Sequence, residues 1–193
     1  MKRIALGLWV LLGAVACSSG VRDSSVGAAT VSLEQQTALA YLQRHKMRFQ
    51  LDDPQQQLTL LRQKRDLLGF QHLSFQQMQN GVPVWRAVLR VHINRAGEVY
   101  RVTGKGVAGL TAVATEPQLG VDEVAQYAVA LMPAGLNVWK VTSAKLYVYA
   151  PWQNGKKLVY QVELHRGLIR QFLLLDADDG RLIKRIAGTP SIY

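Results

Sequence analysis

The sequence predicts an α+β fold of two small units, each a helix packed on an antiparallel β-sheet. Two segments, Leu33 to about Met47 and Val121 to Met132, repeat apolar residues at helical spacing. After each of them, apolar and polar residues alternate with a period of two between turn signals such as Asn80-Gly81. A helix followed by antiparallel strands, twice over, is the order of an α+β protein.

The N-terminus has the three-part plan of a bacterial export signal. Lys2 and Arg3 precede an apolar run over residues 4–15, which is shorter than the about 20 residues that span a bilayer. The run leads into Ala14-Val15-Ala16-Cys17, which resembles a lipobox, and Cys17 is the only cysteine in the chain. We expect a lipoprotein signal peptide at 1–16, lipidation of Cys17 and a place in the cell envelope. An ordinary secretory signal is the alternative, and Ser18 favours the outer membrane in a Gram-negative cell.

The charge balance is strongly basic. Lys and Arg number 23 against 13 Asp and Glu, a formal net charge of +10. Removing residues 1–16 takes away Lys2 and Arg3 and no acidic residue, so the remaining 177 residues (193 minus 16) carry +8. This surplus is typical of a solvated surface, of attraction to anionic lipid head groups, or of steering toward an acidic protein partner. Nucleic acid is not expected as a partner of an exported protein.

A first unit is predicted at 32–104, after a flexible tether over 17–31 that is rich in small and polar residues. Ser32 and Gln35 predict a capping box at the start of its helix. Strands are predicted near Leu58 and Leu73, on both sides of the Asn80-Gly81 turn, and at Val99 to Thr103. On the strand after the turn, the core face is predicted to be Trp85, Ala87, Leu89, Val91 and Ile93, and the wet face Arg86, Arg90, His92 and Asn94.

A second unit is predicted at 119–187, after a linker over 105–118 rich in Gly, Ala and Thr. Asp122 and Glu123 favour a helix start, and Pro133 stops that helix. The strands that follow are predicted at Ala144–Ala150, Lys157–Leu164, Ile169–Asp176 and Arg181–Ile186, and the chain closes with a tail over 188–193.

A specific pattern of residues lies between positions 66 and 97: Asp66, Gly69, His72, Phe75, Gln76, Gln77, Asn80-Gly81-Val82-Pro83-Val84, His92, Asn94 and Gly97. It resembles the fungalysin/thermolysin propeptide (FTP) motif. The second unit resembles a PepSY domain, the usual companion of that motif, in Leu158 to Val162 and Leu175 to Ile183. Together the two resemblances cover about residues 33 to 186.

The resemblance implies a function. In that family a metallopeptidase domain begins just beyond these units, whereas this chain ends at Tyr193. We therefore expect a stand-alone, non-catalytic lipoprotein that binds a thermolysin-type metallopeptidase and inhibits it or assists its folding. The alternative is an envelope adaptor or assembly lipoprotein that uses the fold for another protein partner. An enzyme is not expected, because no recognisable motif joins a nucleophile to His and an acid.

The candidate partner-binding segment is the C-terminal tail, because in family zymogens the end of the prosegment leads toward the peptidase cleft. It consists of Gly188, Thr189, Pro190, Ser191, Ile192 and Tyr193. A frayed terminus is the alternative. Asp176, Asp178 and Asp179 suggest calcium, but Gly180 stands where another ligand would be needed, so a hairpin turn is predicted instead. The scattered histidines predict no metal site, and no cofactor is expected.

Cys17→Ser tests the lipoprotein prediction. Acyl chains on Cys17 would hold the protein on a membrane, since one buried methylene contributes about 0.8 kcal/mol. We expect the variant to leave the membrane fraction or to stay unprocessed, as seen by fractionation and gel migration. Wild-type fractionation and migration of the variant would contradict lipidation.

Overall fold

The computed structural model describes residues 31–135, 138–151 and 155–188. The helices and strands in these ranges confirm the predicted α+β class. No helix in this part of the chain is both long and apolar enough to cross a lipid bilayer. In chain order the elements are α1 (Leu33–Arg44), α2 (Pro54–Gln57), β1 (Leu58–Arg65), β2 (Gln71–Gln79), β3 (Val82–Ile93), β4 (Val99–Thr103), α3 (Val121–Ala130), β5 (Lys140–Tyr149), β6 (Lys157–Arg166), β7 (Ile169–Asp176) and β8 (Leu182–Ala187).

The strands form one sheet in the order β1-β2-β3-β5-β6-β7-β8, and β4 pairs with β3 beside this path. Neighbours along the path are antiparallel, except that β3 and β5 run parallel and meet at the pair Val84 and Val148. The register of β1 on β2 is interrupted by a bulge between Leu60 and Arg62. The central strand β3 therefore joins an N-terminal half of the sheet to a C-terminal half.

The N-terminal half has a hydrophobic core beneath α1. Ala38 and Leu42 of α1 are fully buried, as their helical spacing predicts. Strand residues at a period of two supply the facing layer. The buried set is Ala38, Leu42, Phe49, Leu51, Leu58, Leu73, Phe75, Leu89, Val91 and Ile93.

The C-terminal half has a second core beneath α3, to which Val124 and Ala128 of that helix contribute. Val84 and Ala87 of β3 also belong to it, so β3 takes part in both cores. Residues 104–120 form neither helix nor strand, but Leu110 and Val113 are buried in this core. The described residues from Val31 onward belong to one compact unit. The domain boundaries predicted from the sequence, including the linker at 105–118, stay predictions.

The element ends differ from the predictions by a few residues. Ser32 caps α1, because its Oγ accepts a hydrogen bond from the Gln35 amide at 3.1 Å. The helix ends at Arg44 rather than near Met47, since the chain turns until Gln50 at φ 56°. Strand β5 begins at Lys140, before the predicted start at residue 144, because its pairing with β6 continues to that point.

The turn between β2 and β3 has the predicted type I′ geometry. Both central residues have positive φ, 46° at Asn80 and 82° at Gly81. This conformation matches the right-handed twist of the strands that it joins. The turn fixes where β3 starts against β2.

A bulge then changes the alternation of β3. The register shifts between Gln76 and Met78 of β2, and Arg86 lies opposite this break at φ 60°. The prediction that Trp85 faces the core with the other apolar residues was wrong, because the bulge breaks the period of two. Trp85 is only partly buried. The core positions on either side of it are Val84 and Ala87.

Gly81→Val tests the turn. No atom lies within 4 Å of the place that a Cβ would occupy on Gly81, so the cost would come from the backbone alone. A β-branched residue at this φ should lower the free energy of unfolding by about 1–3 kcal/mol, measured by denaturant titration. Gly81→Asn is the matched control and should cost less, because Asn tolerates positive φ. Equal midpoints for wild type and the Val variant would contradict the described hairpin.

Candidate functional site

Asp66 organises the turn between β1 and β2. Its Oδ1 accepts hydrogen bonds from the amides of Leu68 and Phe70, both at 2.9 Å. The Gly69 amide donates to the Asp66 carbonyl at 3.0 Å, and Gly69 has φ 81°, a conformation that favours glycine. Asp66 and Gly69 of the sequence pattern are therefore turn residues.

The other oxygen of Asp66 begins a chain of side chains across the sheet. His72 Nε2 lies 2.9 Å from Asp66 Oδ2, and His72 Nδ1 lies 2.7 Å from His92 Nδ1. His72 and His92 are directly paired on β2 and β3, which explains why they meet. The chain Asp66–His72–His92 thus fastens the turn to two strands.

The geometry limits how many protons the histidine pair can hold. When His72 Nε2–H donates to Asp66, neutral His72 accepts at Nδ1 and His92 must donate from its own Nδ1–H. If His72 gains a proton, His92 must become the acceptor. Protonation of both rings would point two N–H groups at each other across 2.7 Å. The pair therefore accommodates one extra proton and opposes a second.

The surroundings favour a neutral His92. Burial lowers the pKa of His92, and the nearby His72, Arg101 and Arg90 lower it further by repelling a second positive charge. The His72 hydrogen bond lowers the pKa of the Asp66 carboxyl, and the two turn amides assist against the opposing effect of burial. Lowering the pH should therefore destabilise the turn and the two strands that this chain of side chains joins.

Gln76 repairs the break in the β2–β3 ladder. Its Nε2 donates to the Val84 carbonyl at 2.7 Å, with the carbonyls of Gln77 and Ala87 within range at 3.0 and 3.2 Å. Val84 and Ala87 lie in the stretch of β3 that has no register partner on β2. Gln76 reaches this stretch from the neighbouring strand.

Gln77 holds the segment over 104–120 to the sheet. Its side chain is fully buried, so its amide has to be hydrogen-bonded within the protein. Gln77 Oε1 accepts from the Val107 amide at 2.7 Å, and Nε2 donates to the Val107 carbonyl at 2.8 Å. These two hydrogen bonds resemble those between paired residues of neighbouring strands, with the Gln77 side chain in place of one strand's backbone.

Cations surround the histidine pair on the solvent-facing side of the N-terminal half. The register aligns Lys64 with His72, and His92 with Arg101. One row farther along, Ser74 stands between Arg62 and Arg90. The four cationic side chains are exposed, as predicted for Arg90: Arg62, Lys64, Arg90 and Arg101.

The chemistry open to this arrangement is limited by its own hydrogen bonds. An Asp–His pair activates a hydroxyl or thiol only when the second ring nitrogen reaches that group. Here the second nitrogen of His72 is bonded to His92. Among the described residues, no group of three or more His, Cys, Asp or Glu side chains is arranged to hold a metal ion. The chain of side chains therefore orders the turn and the two strands.

The connection between β7 and β8 is a tight turn, as predicted. Asp176 Oδ1 accepts from the Asp178 amide at 3.0 Å, and Oδ2 lies 2.7 Å from Lys157 Nζ. Burial raises the pKa of Asp176, but the hydrogen bonds from Lys157 and the Asp178 amide outweigh it, so the pKa lies below its usual value. Internal partners therefore occupy the carboxylate that suggested calcium.

Trp85 connects the two halves on the face opposite to the cores. Its Nε1 donates to Gln161 Oε1 at 3.3 Å, and its ring packs edge-on against Tyr149 with centroids 5.2 Å apart. The Arg86 guanidinium lies 4.5 Å and the Lys184 ammonium 5.7 Å from the ring centroid. A sequence reading at a period of two could not find this role.

The residues predicted as sites lie mostly outside the described ranges. Cys17 and residues 189–193 are among them, and their roles stay predictions. Gly188 is described, and its amide donates to the Arg170 carbonyl at 3.0 Å. The chain therefore reaches residue 188 still bonded to β7.

The fold and these contacts define an α+β protein whose first half carries a propeptide-like motif. Residues 56–105 match the family model of the Fungalysin/Thermolysin Propeptide Motif. The bacillolysins of Bacillus subtilis strain 168 and Bacillus subtilis subsp. amylosacchariticus are each 34% identical to this chain over 53 residues. Those residues are 28% of this chain and 10% of each bacillolysin, so the similarity covers a small part of either protein. The FTP resemblance seen in the sequence is confirmed, whereas the PepSY resemblance stays a prediction.

Two solved structures are similar at low identity. The C-terminal domain of YpeB from Bacillus megaterium aligns with a TM-score of 0.43 and 14% identity, covering 81% of this chain and 64% of that one. A candidate lipoprotein from Clostridium difficile 630 aligns with a TM-score of 0.33 and 10% identity, covering 79% of this chain and 92% of that one. Both likenesses are too distant to support a comparison of function.

The protonation of Asp66–His72–His92 predicts a loss of stability in acid. The pKa of His92 lies below its ordinary 6.5, so the folded state binds fewer protons than the unfolded state and loses stability as pH falls below about 6.5. The lowered pKa of Asp66 adds a further loss below its ordinary 3.8. Thermal or denaturant unfolding from neutral to acidic pH measures both losses.

His92→Asn should remove the first of these losses. We expect a flatter pH dependence just below pH 6.5, where the ordinary pKa of His92 lies. His45→Gln, at the C-cap of α1, controls for the loss of an imidazole outside the pair. A steep loss that persists in the His92 variant would contradict the assignment.

Proposed function

We propose that this chain is a non-catalytic lipoprotein of the cell envelope that binds a thermolysin-type metallopeptidase in the manner of a detached propeptide. The match of residues 56–105 to the propeptide motif carries the proposal. The partner is a secreted or envelope metallopeptidase, and binding either inhibits it or assists its folding. The chain needs only a complementary surface for either role.

The internal bonding of the motif supports a binding role. Asp66, His72 and His92 bond to one another, and Gln76 and Gln77 bond to the backbone. Side chains bonded in this way preorganise a surface, which reduces the ordering cost of association.

The tail beyond Gly188 is proposed to reach the peptidase cleft. Gly188 leaves the edge of the sheet beside Arg170, so residues 189–193 would extend from a fixed point. Pro190 favours an extended course over a helix. Cys17 is proposed to carry the lipid that keeps the protein in the envelope, with a tether over 17–31 between the lipid and the sheet.

Inhibition of a purified peptidase tests the proposal. A soluble form beginning at Ser18 should slow bacillolysin or a thermolysin-type peptidase from the same organism. Removal of residues 189–193 should weaken the inhibition at least several-fold, because the segment proposed to enter the cleft is lost. The matched control carries the same five residues in scrambled order, which keeps length and composition.

Two negative results together would reject the propeptide role. One is no inhibition at tens of micromolar, where a weak but specific complex, worth about 6 kcal/mol, would form. The other is no gain of active peptidase when both proteins are refolded together. Co-purification from detergent-solubilised membranes would then look for a secretion or cell-wall component, as expected of an envelope adaptor.

A further inference from the structure

The turn between β1 and β2 displays two adjacent leucines to solvent. The Leu67 side chain is 105% exposed and that of Leu68 is 61% exposed. Single exposed apolar side chains are ordinary on protein surfaces. Two neighbours at the apex of one turn form a small projecting apolar tip, which we call the Leu67–Leu68 tip.

The tip is held rigidly in its exposed position. Asp66 accepts from the amides of Leu68 and Phe70, and His72 fixes the same carboxylate from β2. Arg95, from the turn between β3 and β4, donates to the Leu68 carbonyl. A turn with this many bonds does not fold back to bury its leucines, so the exposure is a built feature of the fold.

Cations form a collar around the tip. The position of a Cβ on Gly69 would lie 3.5 Å from the Arg95 side chain and 3.7 Å from Arg65 Nη2, so both guanidinium groups flank the turn. Arg62, Lys64 and Arg101 are exposed on the adjoining strands. Two carboxylates of the adjoining turns are already bonded within the protein, Asp66 in its own turn and Glu98 to Asn94. Positive charge therefore exceeds negative charge around an apolar apex.

We propose that the Leu67–Leu68 tip inserts among the head groups of an anionic phospholipid bilayer, while the collar binds the lipid phosphates. An apolar projection suits the acyl boundary of a membrane, and surrounding Lys and Arg side chains suit its charged surface. Their long stems let the charged groups reach the phosphates while the leucines go deeper. The proposal requires neither a peptidase partner nor a lipid on Cys17.

A protein pocket is the less favoured occupant. The centres of protein interfaces are depleted in charged residues, whereas here cations stand directly beside the leucines. The face behind the tip is also polar, with Ser74, Arg90 and Arg101 in the rows that follow. A broad cationic surface with a small apolar tip matches the charge of an anionic bilayer.

The opposite end of the sheet provides an internal comparison. Leu168, in the turn between β6 and β7, is 104% exposed. This turn lies at the start of β5, whereas the Leu67–Leu68 tip lies at the end of β3, and β3 and β5 run parallel. Two of its cations are engaged: Arg170 pairs with Glu163 at 2.8 Å, and Arg166 lies over the Trp139 ring, whereas Lys140 at the start of β5 is exposed. Leu168 is thus a matched exposed leucine beside a sparser set of exposed cations.

A fluorescent probe at each turn tests the proposal in the full chain. Leu67→Cys and Leu168→Cys are made separately with Cys17→Ser, so that each chain has one thiol for a nitrobenzoxadiazole label. Vesicles contain phosphatidylcholine alone or equal parts of phosphatidylcholine and phosphatidylglycerol. We expect a blue shift of the probe at 67, with quenching by doxyl-labelled lipid, on the phosphatidylglycerol vesicles only. The probe at 168 should stay in water on both.

Charge reversal separates the collar from simple adhesion. Arg62→Glu with Lys64→Glu should reduce the shift at 67 by about tenfold or more at a given lipid concentration, since each cation near the surface adds to the attraction. Lys140→Glu with Lys145→Glu makes the same change of charge on β5 and should leave the shift unchanged. Circular dichroism checks that both variants are folded.

Each contrary result overturns the proposal. An equal shift on neutral vesicles would remove the role of the collar, and an equal shift at both probes would indicate unspecific adhesion. A probe at 67 that stays in water on both vesicles excludes insertion. If that probe shifts instead when the peptidase of the proposed function is added, the tip belongs to a protein interface. Membrane insertion with neither peptidase inhibition nor a gain of active peptidase on co-refolding would leave this proposal standing and remove the other.

Discussion

The structure depends on one strand that serves two cores. The bulge around Arg86 lets β3 direct Leu89, Val91 and Ile93 into the N-terminal core, and its other end into the C-terminal core. The residues at that other end are Val84 and Ala87. A regular strand would present one alternating set to one side throughout its length. The bulge changes this alternation, so that Val84 rather than Trp85 joins the C-terminal core.

The polar residues of the motif maintain this irregular strand. The Gln76 side chain donates to the Val84 carbonyl at the bulge, and the Gln77 side chain donates to the Val107 carbonyl. The Asp66–His72–His92 chain closes the opposite end of the same hairpin. Because a buried or half-buried polar group is costly when unpaired, each of these residues depends on its partners being in place. The polar residues of the pattern are thus the ones that stabilise the irregular part of the sheet.

Local patterns in the sequence predicted the elements well and their long-range consequences poorly. Asn80-Gly81 predicted the turn between β2 and β3, and the helical spacing of Ala38 and Leu42 predicted their burial. Both features depend on residues that are neighbours along the chain. The position of Trp85 depended on a bulge in the pairing of β3 with β2, which no local period reveals. The sequence pattern included Gln76 and Gln77 but did not show which backbone groups their side chains bond. Of two successive glutamines in a strand, one must face inward. A buried side-chain amide that bonds to the backbone could therefore have been predicted from the sequence.

The tip at residues 67–68 also bears on the resemblance to propeptides. Asp66 and Gly69 match the motif, whereas the exposure of the leucines between them follows from the turn that these two residues impose. A motif that stabilises a turn also fixes what the turn presents. Binding surfaces can therefore change in the residues between the motif positions while the supporting bonds stay the same.

The two edge strands of the sheet affect how copies of this protein can associate. Strand β1 is at one end of the strand order and β8 at the other. Exposed edges of this kind offer backbone groups to other copies and promote polymerisation. Here β1 is interrupted at Leu61 and bears Arg62, Lys64 and Arg65, and β8 bears Lys184 and Arg185. Copies that approach edge to edge bring like charges together, so these edges disfavour growth of the sheet from one copy into the next.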